Sequence, residues 1–231
     1  MHKLRLVLSL LCVGLAGSSA QAQLSNSSTA TIQYPTLVLE GTVSRVAGST
    51  HESGNVTLIA GNDGTWSESW SLNSRSFQQS SDDCKTARAV NFSCDRVVPW
   101  FAPWLALTTS ANGSSMQSEV SDDAAKASGK RVLSFSTAAQ SPKTPSRRSN
   151  ANASYRMAKT QFQVTYDTAD SLPSRMDFSD YLDSGMSRKI DTYVLFSDYR
   201  EESGVMVPHR IQRYLQRTLE ADIHITSVTT R

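Results

Sequence analysis

The chain has 231 residues, of which 39% are hydrophobic, 19% charged and 8% aromatic, so it is long enough to bury a core and too apolar to be a disordered tail. Its formal charge of +2 comes from 23 basic against 21 acidic residues, and two of the basic ones, Lys3 and Arg5, fall in a segment read below as an export signal. The mature chain is then neutral and lacks the long-range attraction that holds proteins to phosphate backbones or anionic lipid surfaces, which argues against a nucleic-acid partner.

The N-terminus opens with His2, Lys3 and Arg5, continues through an apolar run over residues 6–15 and ends in Ala20-Gln21-Ala22. That pattern predicts a secretory signal peptide over residues 1–22, cleaved after Ala22, and hence a periplasmic or secreted protein. The apolar run is about half the roughly 20 residues that a spanning helix needs, and no later segment is apolar enough to cross a membrane. Residues 23–33, rich in Ser, Asn and Thr, read as a flexible leader, and residues 34–231 as one β domain.

Removal of the signal leaves Cys84 and Cys94 in an oxidising compartment, where adjacent thiols tend to pair. A disulfide there would close a loop of about ten residues and contribute roughly 2–3 kcal/mol, with two free thiols as the alternative. None of the four histidines falls in a metal-ligand spacing with them, and no metal or cofactor is expected.

Strand-like segments follow at residues 37–46, 55–60, 65–72 and 88–94, separated by Gly, Asn, Asp and Ser. The clearest turn is Gly61-Asn62-Asp63-Gly64, which should join two antiparallel neighbours. Trp66 and Trp70 are four apart in one strand and so share a face. Residues 97–108 hold Pro99, Trp100, Phe101, Pro103, Trp104 and Leu107, too much proline for a strand; the spacing predicts a short helix with Trp100, Trp104 and Leu107 on one face. Residues 122–126 read as a further helical turn. Residues 138–154, with Pro142, Pro145 and Arg147-Arg148, read as a mobile loop inside the domain, between strands at 131–137 and 161–167.

The last third reads as a β-meander of strands at 190–199, 205–215 and 219–228 with tight turns between them. In the final strand Leu219, Ala221, Ile223 and Ile225 alternate with Glu220, Asp222, His224 and Thr226, which predicts one buried and one wet side. His209 and Arg213 share the apolar face of the preceding strand and need partners there. Pro208 predicts a bulge or an edge.

The run Val194-Leu-Phe-Ser-Asp-Tyr-Arg-Glu-Glu-Ser-Gly-Val-Met-Val-Pro-His-Arg-Ile-Gln-Arg-Tyr-Leu215, closing with Ile223-His-Ile-Thr-Ser-Val228, resembles the C-terminal part of the bacterial outer-membrane lipoprotein carrier superfamily, the LolA and LolB type. Asp167-Thr-Ala-Asp-Ser-Leu-Pro173 resembles the turn before its adjoining strand. The resemblance covers residues 160–231 well and the first half in general layout. It implies a mainly β (α+β) fold, a curved antiparallel sheet or half-closed β-barrel with one or two short covering helices, whose concave face holds an acyl chain.

Neither a Gly-x-Ser-x-Gly elbow nor a His-Glu-x-x-His site occurs, and the glycines around 61–64 precede no P-loop lysine, so no catalytic residue is assigned and no enzyme is expected. The expected function is binding of a lipid or other apolar ligand beneath a cover, with Trp66, Trp70, Trp100, Phe101, Trp104 and Leu107 as cover and cavity wall. The alternative is a cell-envelope interaction module that meets another protein by strand addition and has no ligand cavity.

Overall fold

The computed structural model describes residues 35–61, 63–81, 99–104, 115–137, 161–181 and 189–231. In chain order they form β1 (Leu37–Ala47), β2 (Thr50–Ala60), β3 (Trp66–Leu72), β4 (Ser76–Ser80), β5 (Ser115–Val120), α1 (Asp123–Ala127), β6 (Lys130–Thr137), β7 (Phe162–Asp167), β8 (Pro173–Tyr181), β9 (Lys189–Glu202), β10 (Val205–Leu215) and β11 (Thr218–Thr230). The strands make one antiparallel sheet in the order β4-β3-β2-β1-β11-β10-β9-β8-β7-β6-β5. Every neighbour is consecutive in the chain except β1 and β11, so two meanders meet at a seam between the first strand and the last. β4 and β5 end the sheet and it does not close into a barrel.

The turns follow their residue types. Between β2 and β3, Gly64 takes φ 84° and the Asp63 carboxylate accepts from the Thr65 backbone N–H at 2.9 Å, fixing the turn that the sequence marks most clearly. Between β9 and β10, Ser203 and Gly204 both take positive φ, the type I′ geometry that matches strand twist. At Pro208 the chain bends as its missing N–H requires: pairing with β11 begins only at Arg210, and Asp198 on the other neighbour adopts φ 54°.

One face of the sheet is buried from β3 to β6. Val43, Val56, Leu58, Ile223, Ile211, Val194, Met176, Val164 and Leu133 form a continuous apolar row system from β1 and β2 to β6 and join one cluster. Two glycines let this face curl. A Cβ at Gly54 would collide with the Ser71 carbonyl oxygen of β3, and one at Gly41 with the His224 carbonyl oxygen of β11, where the β1–β11 register shifts at Glu40/Gly41. Glycine at these points permits the close backbone approach that bends a sheet inward.

Several expectations are corrected. Among residues 99–104 there is no helix: the Ala102 N–H donates to the Pro99 carbonyl at 3.1 Å and closes a tight turn. Two prolines within five residues favour such a turn over continued helical pairing. The helix that does form, α1, is capped by the Asp122 side chain and buries no residue, so it connects β5 to β6 and covers nothing. β4 and β5, rich in Ser and Gln, were not anticipated, because edge strands without an apolar alternation carry little sequence signal. The signal, the leader, the 88–94 strand, Cys84, Cys94, Leu107 and the 138–154 loop all lie outside the described residues.

Candidate functional site

Trp66, Glu68, Trp70 and Leu72 alternate with exposed or half-buried residues along β3, so all four side chains lie on the buried face. The turn at 99–104 packs against them. Phe101 meets Trp66 edge-on with centroids 6.5 Å apart and Trp100 at 5.6 Å, and Trp100 lies 6.3 Å from Trp70. Trp104 is buried with them, and its indole N–H has no acceptor among the described residues. Five of the six residues expected at the cover and wall are therefore in the described structure and in one apolar cluster.

A buried carboxylate sits inside that cluster. Glu68 is 5% exposed, and its Oε2 accepts from the indole N–H of Trp100 at 3.2 Å and from that of Trp70 at 3.4 Å. The Arg213 guanidinium of β10 lies over the Trp100 ring, 5.3 Å from its centroid. Strands β3 and β10 stand four places apart in the sheet, about 19 Å if it were flat. One indole reaches both, which requires the sheet to be strongly curved around it.

Beside this plug opens a cleft of about 510 Å³, whose lining combines the apolar side chains of Trp70, Leu72 and Phe77 with Arg45, Arg75, Arg213, Glu68, Glu220 and Gln79. Phe77 pairs across strands with Trp70 and is 47% exposed, which leaves an aromatic wall at the mouth. The arginines of the cleft and Glu220 belong to a chain of ion pairs crossing four strands and the β3–β4 turn, in which Glu52 stands behind the lining. Arg75 donates to Glu52 at 2.8 Å, Glu52 lies 3.9 Å from Arg45, Arg45 donates to Glu220 at 3.1 Å, and Glu220 lies 3.1 Å from Arg213. Ser74 also donates to Glu52. Hydrogen bonds from Ser74 and Arg75 hold the Glu52 carboxyl below its ordinary range, against the burial that pushes it up.

Glu220 corrects the sequence reading, which placed it on the wet side with Asp222. Arg213 pairs with Ala221 while Tyr214 pairs with Leu219, so Glu220 is the extra residue of a β-bulge. The bulge turns its carboxylate to Arg45 and Arg213. His209, which shares this face with Arg213, has its Nδ1 3.0 Å from the Ile225 carbonyl and its Nε2 3.1 Å from the Glu202 carboxylate. Of the expected site residues that are described, only Trp70 lines the cleft; the alternation within single strands carries no signal for the charged ring. For Glu68 a signal existed, its place between Trp66 and Trp70 on one face, whereas Arg45, Glu52 and Arg75 are brought together by pairing alone.

A wider trough of about 1000 Å³ is lined by Gln163, Arg175, Asp177 and Tyr193, where Arg175 lies 4.1 Å over the Tyr193 ring while forking to Asp177, and by Phe162 and Phe178. Most of its lining is polar, and these two rings are themselves buried in the core. The smaller cleft is the better candidate because it joins the curved, apolar face to solvent.

Fold and site together define an open antiparallel half-barrel with an amphipathic cleft on its inner side. Solved structures to which the chain is similar include a LolA superfamily protein from Nitrosomonas europaea, 11% identical over 87% of this chain and 89% of that one with a TM-score of 0.45. A domain described as an outer membrane lipoprotein-sorting protein from Vibrio parahaemolyticus is 12% identical over 85% of each chain with a TM-score of 0.41, and a DUF1329 family protein from Desulfovibrio piger is 11% identical over 87% of each with a TM-score of 0.43. No protein-family model and no curated protein matches the chain. Among the described residues no helix is long and apolar enough to cross a membrane.

Proposed function

We infer that the protein is an exported, non-enzymatic binder of an acyl chain or a similar apolar ligand, taken up through the cleft beside the Trp100 plug. The observation that supports this best is the cleft itself. Its volume of about 510 Å³ is within the range of ordinary ligand sites, and its lining combines the apolar Trp70, Leu72 and Phe77 with charged side chains. An amphiphile fits that combination, its chain against the rings and its polar end at the charges. A periplasmic location and cleavage after Ala22 belong to the same reading.

The test is uptake of a fluorescent fatty acid by the purified mature chain, with native mass spectrometry for co-purified lipid. Phe77→Glu changes a half-exposed residue and leaves the core intact, so it should weaken uptake about tenfold without loss of fold. Absence of both uptake and co-purified lipid overturns the reading. The end strands β4 and β5 support a second one, strand addition by an envelope protein, which would show as a partner recovered from envelope extract by a chain that takes up no lipid.

A further inference from the structure

We propose that the rim of this cleft selects amphiphiles whose headgroup is zwitterionic, carrying one phosphate and one ammonium; the proposal rests on the reading that the cleft takes an apolar chain. The ion-pair chain that carries the rim alternates in sign: Arg75, Glu52, Arg45, Glu220, Arg213. Three guanidiniums and the carboxylates of Glu220 and Glu68 line the cleft, and Glu52 stands behind Arg75 and Arg45. A purely anionic headgroup that reaches any of these guanidiniums also meets the carboxylate beside it. A purely cationic one meets the guanidinium beside each carboxylate. In each case like-charge contact offsets the gain, whereas a headgroup carrying both signs matches the rim charge for charge.

The ends of the rim differ in a way that orients such a ligand. Arg75 is 51% exposed at the mouth and offers a guanidinium fork, the geometry suited to phosphate oxygens. Phe77, two residues on, starts the apolar wall that continues inward to Trp70 and Leu72. Glu220, only 13% exposed, lies farther along the rim paired with both Arg45 and Arg213, so an ammonium that reaches it needs the ligand's own phosphate to offset those guanidiniums. Phosphate at Arg75, ammonium toward Glu220 and the chain along Phe77 use every wall of the cleft.

The experiment titrates the purified mature chain at about 150 mM salt, where exposed charges are screened beyond roughly 8 Å. Dihexanoyl phosphatidylcholine, dihexanoyl phosphatidylglycerol and an alkyltrimethylammonium salt of matched chain length serve as probes, read by tryptophan fluorescence. The zwitterionic probe should bind at least about tenfold more tightly than either other probe. Glu220→Gln releases Arg45 and Arg213 from their shared partner and should cut that preference over the anionic probe to about threefold or less. Arg75→Gln, at a half-exposed position that leaves the core untouched, should weaken both phosphate-bearing probes about fivefold and leave the cationic one unchanged. Three probes bound equally well overturn the headgroup proposal and leave the apolar-ligand reading standing. No binding of any probe overturns both.

Discussion

Truncation of Phe101 to alanine tests whether the 99–104 turn is an integral part of the curved face. The ring is 0% exposed and meets Trp66 and Trp100 edge-on, so its removal leaves a void bounded by rigid indoles that cannot collapse into it. Buried Phe→Ala changes cost about 3–5 kcal/mol, and the rigid lining places this one near 4 kcal/mol. For a domain of this size each kcal/mol moves the melting midpoint by about 2–4 °C, so Tm should fall by roughly 8–16 °C. Phe77→Ala, at a half-exposed ring on the cleft wall, is the control and should cost less than about 1 kcal/mol. Urea unfolding followed by tryptophan fluorescence measures both, with an unchanged m-value as the check that the unfolded state is the same. Equal, small effects for the two variants would refute the reasoning, because the turn would then contribute nothing to the core.

Gly54→Ala should destabilise by about 2 kcal/mol or more, since the new methyl meets the β3 backbone, which cannot yield as a side chain would; Gly48→Ala, at an open turn position, tests only the cost of its positive φ and should be milder in the same assay. Glu68→Ala should cost about 1–3 kcal/mol for each of the two indole N–H groups it strands, and Glu68→Gln should restore much of that loss by returning an acceptor, as chemical denaturation would read. Acid should destabilise the protein through Glu52 and Asp222. Burial pushes the Asp222 carboxyl up, but Arg210, His224 and Gln212 outweigh it, and both carboxyls end below their ordinary values. Their stabilising contribution is complete above about pH 4.5, where the unfolded carboxyls are ionised, and is lost as pH falls through the lowered native values. Unfolding midpoints measured from neutral pH downward should show this fall, and Glu52→Gln should flatten it; an unchanged acid slope would count against the rim ion pairs.

Much of the sheet was legible in the residues themselves. Period-two alternation in 205–215 and 219–228, the Ser203-Gly204 turn and the Gly61–Gly64 turn are local properties, and local sterics decide them in the sequence as in the fold. The shared face of Trp66 and Trp70, and hence that of Glu68 between them, follows from the same periodicity. What only the tertiary structure decided is the meeting of distant segments. Arg45 and Glu220 are 175 residues apart and touch because β1 closes the seam against β11, and because a bulge rotates Glu220 off the face its alternation assigned it. The Pro99 segment closes a turn where spacing alone predicts a helix, because its two prolines interrupt helical pairing, and where its aromatic rings then dock, against β3 and Arg213, is set by the fold. Side-chain periodicity is a property of a few consecutive residues, whereas register across a seam and curvature at a glycine depend on which backbone lies alongside, and no single segment encodes that.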